Sequence, residues 1–250
     1  MQQVYLKIHQ SLGVIHIKIK ELEEFLENNP QMSLAPSNPN EYVVNGILSL
    51  DIKNDTYGNI KDKFLIRIVI PKSFPKEIPT VYEVGNRFPK TLDFHTFSDS
   101  SLCLGSPLSL RKQIKDNPTL DGFICSCVIP YFYAIALKLQ GKGSFVFGEL
   151  YHGVEGLIQD YLEVFDLKYI NQVIELLDIL SQKPNRGNKK KCPCGCNRIV
   201  AKCSLHKKIV EYRDVMTRKE YATDKEIFTL IYDKWKENQM KKRRKLIPRV

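Results

Sequence analysis

Residues 64–84 constrain this chain more than any other stretch. Phe64-Leu-Ile-Arg-Ile-Val-Ile70 is dense in β-branched and aromatic side chains, the pattern of a strand. Pro71 follows at once, and with no N–H to give to a ladder it ends the strand there. Pro71-x-x-Phe74-Pro75-x-x-x-Pro79 then fixes an extended corner, because each proline locks its own φ and biases the residue before it towards extended backbone. Val81-Tyr-Glu-Val84 reads as the next strand, so the corner joins two strands.

Upstream, Ile15, Ile19, Leu22 and Leu26 recur at helical spacing between polar residues, and Pro30 closes the pattern. Residues 31–40, rich in Pro, Ser and Asn, read as a loop. Strands follow at Tyr42-Val-Val and at Ile47-Leu-Ser-Leu-Asp-Ile52, with a turn at 54–59. Downstream, residues 91–107 form an irregular stretch holding His95 and Cys103. Ser106-Pro107 has the form of an N-cap with proline at the first helical position, and Asn117-Pro118 repeats it. Phe123 to Leu137 carries no charge and is shorter than the ~20 residues of a membrane-spanning helix, so it reads as a buried helix, kinked at Pro130. Two more helices are expected within 147–182, one through Leu157, Tyr161 and Phe165, the other through Ile170, Ile174, Leu177 and Leu180.

Charge separates the two ends. From Lys183 onward there are 21 Lys+Arg against 7 Asp+Glu, although the whole chain is only +10. An anionic partner would meet this end first. Hydrophobic residues at 43% and charged residues at 26% exclude a disordered chain. The opening residues lack the pattern of an export signal, so the expected address is cytoplasmic, with no membrane. The polar, basic run 183–191 reads as a linker, which divides the chain into a domain at 1–182 and a small basic segment at 192–250.

Seven cysteines in such a chain favour metal binding and thiol chemistry over disulfides. Cys192, Cys194, Cys203 and His206 supply three thiolates and an imidazole, a complete tetrahedral set for a structural Zn²⁺, and Cys196 is an alternative ligand. The run Cys-Pro-Cys-Gly with Cys203 resembles the short SEC-C zinc motif. Lys189–Lys191, Lys202, Lys207 and Lys208 would offset the negative centre. Cys125 and Cys127, two apart on a helix, point in different directions and read as core residues. A helix around Lys225–Gln239 and a basic end at Lys241–Lys245 complete the chain.

One helix, a meander of strands, the corner Pro71, Phe74, Pro75 and Pro79, then His95 and Leu102-Cys103-Leu104 before further helices: this order is α+β and resembles the ubiquitin-conjugating enzymes over about residues 1–150. Thr96 and Phe97 stand where that family has Pro and Asn. Leu-Cys-Leu-Gly and Glu149-Leu-Tyr-His-Gly-Val-Glu-Gly156 look most like divergent bacterial members found in antiphage (CBASS) operons beside cyclic-oligonucleotide synthases. The resemblance implies that Cys103 carries an acyl group as a thioester and that His95 mainly braces the loop. The cargo would be a ubiquitin-like protein or another protein C-terminus, delivered by a separate activating enzyme, with a nucleotidyltransferase as a partner. The asparagine that would assist transfer to a lysine is missing. A thiol near the ordinary ~8.5 needs help to ionise, and the helix starting at Ser106-Pro107 is expected to provide it. His152, in a polar turn, is a further candidate near the active stretch. Two other functions fit the sequence, a conjugating-like module that only binds its partner and a basic zinc-containing nucleic-acid-binding protein.

Overall fold

The computed structural model describes residues 19–141 and 153–246, with side chains for 21–141 and 153–238. The chain divides into two compact units, the first made of Met1–Gly105 with Gln113–Gly148, the second of Ser106–Lys112 with Glu149–Val250. The expected linker at 183–191 is therefore not the boundary. Pro184–Gly187 form a helical turn, and Gly187 is so tightly packed that a Cβ would lie 2.7 Å from the Ile179 carbonyl oxygen. Arg213 donates to the Asn188 side chain at 2.8 Å, and Lys190 pairs with Asp178. The segment looked like a linker because its lysines are polar, but their charged ends can stay wet while the backbone folds.

In the first unit, helix α1 (Ile19–Asn28) precedes four antiparallel strands in the order β1 (Met32–Asn38), β2 (Glu41–Ile52), β3 (Ile60–Pro71) and β4 (Thr80–Glu83). The fold is α+β, as expected. Strand β1 replaces the loop expected at 31–40. It is an edge strand with a register irregularity between Ala35 and Asn38, so Pro36 is tolerated there. Gly46 lets β1 approach β2, since a Cβ there would meet the Gln31 carbonyl oxygen at 2.2 Å. In β3 burial alternates. Phe64, Ile66, Ile68 and Ile70 face the core, and Leu65, Arg67 and Val69 face away. The turn between β2 and β3 uses Asn54, whose side chain accepts from the N–H groups of Thr56 (3.0 Å) and Tyr57 (2.8 Å), and Gly58 at positive φ.

Helix α2 (Pro107–Asp116) starts where Ser106 caps it, its Oγ accepting the Ser109 N–H at 3.1 Å. Helix α3 (Leu120–Leu139) is capped by Thr119 rather than Asn117, through the Gly122 N–H at 3.0 Å. Its 20 residues make it longer than expected, enough by length and composition to cross a membrane, yet 72% of its apolar window is buried. Phe132 meets Phe64 of β3 with ring centroids 4.7 Å apart. Ile124–Val128 are a π segment immediately before Pro130, and the wider turn makes room for a residue that lacks an N–H.

In the second unit, α4 (Val154–Phe165), α5 (Ile170–Leu180), α6 (Leu205–Tyr212) and α7 (Arg218–Leu246) enclose a separate core around Tyr161, Phe165, Leu177, Ile209, Tyr221 and Phe228. α7 begins seven residues before the position expected from periodicity. Thr217 and Glu220 form a capping box, with N–H to side-chain oxygen distances of 2.7 and 3.2 Å.

Candidate functional site

Cys103 ends a short strap laid along the edge of the sheet. Leu102 N–H donates to the Val81 carbonyl of β4 at 2.8 Å, and Leu102 also bridges Thr96. Cys103 N–H donates to the carbonyl of His95 at 2.7 Å. His95 caps the preceding turn, Leu92–Phe94, with a left-handed φ of 47°. The backbone of His95 thus holds the cysteine in place. Upstream, the buried Glu83 carboxylate accepts the Gly85 N–H at 2.9 Å and pairs with Lys90, which fixes the exit from β4. Thr96 is buried and Phe97 exposed, so neither position offers the amide that an asparagine would.

The thiol is half-buried, and burial pushes its pKa up; the Gly105 N–H, donating to the sulfur, offsets only part of this. The lowered pKa expected from the helix start is therefore overturned, because desolvation outweighs one backbone dipole. Tyr131 of α3, within the apolar stretch expected to be buried, is buried. Its hydroxyl donates to the Phe94 carbonyl at 2.7 Å, and charge on Cys103 adds to the burial that raises the tyrosine's pKa. It supports the strap from below. Cys127 is buried, with its thiol 2.9 Å from Gln113 Oε1 and pushed up by burial to about 12, while Cys125 is exposed. His9, His16 and His152 lie outside the described residues.

The second cluster is tighter. The sulfurs of Cys192, Cys194, Cys196 and Cys203 all lie within 4.8 Å of one another. Neighbouring sulfurs are 3.2 Å (Cys192–Cys194) and 3.5 Å apart (Cys194–Cys203 and Cys196–Cys203). Four thiolates around a metal at ~2.3 Å would be ~3.8 Å apart, so the set needs only a slight expansion to hold an ion such as zinc. His206 is not among them, which corrects the expected ligand set. The hairpin closed by the Lys191–Ile199 bridge turns through Gly195 (φ 83°) and Asn197 (φ 59°), and Cys196 takes the fourth place. His206 instead sits in the first turn of α6 with its Nε2 buried and without a hydrogen-bond partner.

Each sulfur accepts the N–H of the residue two places on: Cys192 from Cys194, Cys194 from Cys196, Cys196 from Arg198 and Cys203 from Leu205. Their acidities nevertheless diverge. Burial raises Cys192 and Cys194. The Arg198 N–H and guanidinium hold Cys196 down to about 6. Burial raises Cys203 too, but the Leu205 N–H and neighbouring thiols leave it below the ordinary value. Arg198 was not singled out in the sequence; its place two residues after a cysteine was the available signal. Bound metal would favour the thiolate at all four. No known protein family, no characterised protein and no solved structure matches this chain.

Proposed function

We propose that this protein is a cysteine-dependent acyl carrier of the ubiquitin-conjugating type. Cys103 would form a thioester with the C-terminal acyl group of a ubiquitin-like or other protein. The supporting observation is the mounting of Cys103, a partly exposed thiol on a strap pinned through Val81 and His95 beside a four-stranded antiparallel meander. In the reaction, the Cys103 sulfur attacks the thioester carbonyl on an activating enzyme's cysteine. A C–S bond forms, the donor's C–S bond breaks, and the departing thiolate takes the proton lost by Cys103. Because burial disfavours the free thiolate, ionisation belongs to the complex with the donor. The acceptor in this reading is a partner such as a nucleotidyltransferase of bacterial antiphage defence, in the cytoplasm. The four-cysteine cluster holds a structural zinc, since a closed set of thiolates leaves no open coordination position.

The test is to incubate the protein with an activating enzyme encoded beside it, ATP and the cargo. The expected product is a reductant-sensitive adduct on Cys103, absent from Cys103→Ala and reductant-resistant on Cys103→Ser. If folded, zinc-loaded protein forms no adduct with any such set, the carrier reading fails. One observation favours a second reading, in which the domain only binds its partner: burial raises the pKa of Cys103, as in an unreactive core thiol. That reading requires Cys103→Ala to function like the parent.

A further inference from the structure

The second unit holds an aromatic groove that the acyl-carrier reading does not use. It has a volume of about 370 Å³ and lies between the start of α5 and the outer part of α7, lined by Lys168, Tyr169, Ile170, Asn171, Ile231, Tyr232 and Trp235. Tyr169 and Trp235 are 64% and 55% exposed, which core aromatics are not. The rings of Tyr232 and Trp235 are stacked, parallel within 9° with centroids 6.1 Å apart, so two aromatic side chains are already ordered together at the groove. Lys236 already sits 4.1 Å from the Tyr232 ring centroid, which puts a cation beside the ring faces.

The groove is rigidly based. The Gln172 side chain accepts the N–H groups of Lys168 (2.9 Å) and Tyr169 (3.0 Å) and donates to the Pro193 carbonyl at 2.8 Å, in the cysteine hairpin. Charge identifies the occupant. The first unit is net neutral, so the chain's entire +10 belongs to the second, and Lys241–Lys245 follow the groove on the same helix. Flat exposed rings beside lysines on a strongly basic unit are the chemistry of a chain that offers stacking bases and phosphates together.

We propose that this groove binds single-stranded nucleic acid, with a base stacked on Trp235 and Tyr169 and phosphates on Lys168 and Lys236. The site is independent of Cys103. Trp235 is the chain's only tryptophan, so its fluorescence reports the groove directly. The experiment titrates full-length, zinc-loaded protein with a short single-stranded oligothymidylate and reads tryptophan quenching alongside anisotropy of the labelled oligonucleotide. Saturable quenching that weakens steeply with salt is expected. Tyr169→Ala and Trp235→Ala, the latter read by anisotropy, should each weaken binding roughly 5- to 150-fold with melting and zinc content unchanged. Cys103→Ala should bind like the parent. Three results would overturn the proposal: no binding; binding without quenching that Tyr169→Ala leaves intact, which assigns it to the basic helix end alone; or equal quenching by an acidic peptide of the same charge, which assigns the groove to a protein partner.

Discussion

Cys103 and the four clustered cysteines share one local device, a backbone N–H two residues ahead donating to the sulfur, yet their acidities differ. Cys103 is half-buried, and burial raises its pKa. Cys196 has the same device plus the Arg198 guanidinium, and its pKa falls to about 6. At Cys103 desolvation outweighs the single dipole, whereas at Cys196 the Arg198 N–H, and after it the guanidinium, outweigh a lesser desolvation. The two regions therefore differ in what sets acidity: burial decides it at Cys103, while in the cluster burial raises Cys192 and Cys194 and neighbouring N–H groups, thiols and Arg198 lower Cys196 and Cys203.

The largest expected effect comes from metal removal. Chelation should destabilise the second unit by on the order of 5 kcal/mol, less than the roughly 10–16 of isolated zinc-finger peptides because this unit has its own apolar core. Calorimetry should show the second unit's transition falling while the first unit's stays. A melt unchanged by chelation would end the structural-metal assignment. Ligand identity sharpens the comparison further: elemental analysis should give one zinc per chain in His206→Ala and a loss in Cys196→Ser, and the reverse pattern would restore the histidine.

For the first unit, Phe132→Ala should cost about 3–5 kcal/mol, because it empties a site packed against Phe64. Denaturant titration resolved by unit should place the whole loss in the first transition. Alkylation of Cys103 in the zinc-loaded protein, followed by mass spectrometry, should be slow at neutral pH. It should rise through a half-point above the ordinary thiol value of ~8.5, since a raised pKa leaves little thiolate below it. A half-point below that value would make the two cysteine environments alike.

The smallest effect is Asp178→Asn. Burial alone would raise this carboxylate, but Lys190 and Lys225 hold its pKa below the usual range, and their side chains are about a third exposed. The loss should be about 1 kcal/mol, screened by salt. A carboxyl lowered in the folded state contributes fully above the unfolded value of ~3.9, and that contribution disappears as pH falls through the folded value. The parent and variant melting curves should therefore converge in acid.

Much of the architecture was legible in the sequence because it rests on local pattern. Periodicity located α1, α4 and α5, alternation and Pro71 located β3 and its end, and Ser106-Pro107 located α2. Strand β1 was not legible, because a polar edge strand with a proline has the composition of a loop. The early start of α7 was encoded in Thr217 and Glu220 but hidden by a weak apolar stripe.

By itself the sequence determined which residues are candidates for chemistry: one isolated cysteine after a proline corner, a dense cysteine cluster, and a basic end. Only the tertiary structure decided what surrounds them. It chose Cys196 over His206 because a hairpin turn, and not spacing along the chain, sets which side chains converge. It joined the supposed linker to the second unit through Gly187, Asn188 and Lys190. It raised the pKa of Cys103 where the helix start predicted the opposite. Acidity depends on how much water and which charges surround the sulfur, and those are fixed only when distant segments pack.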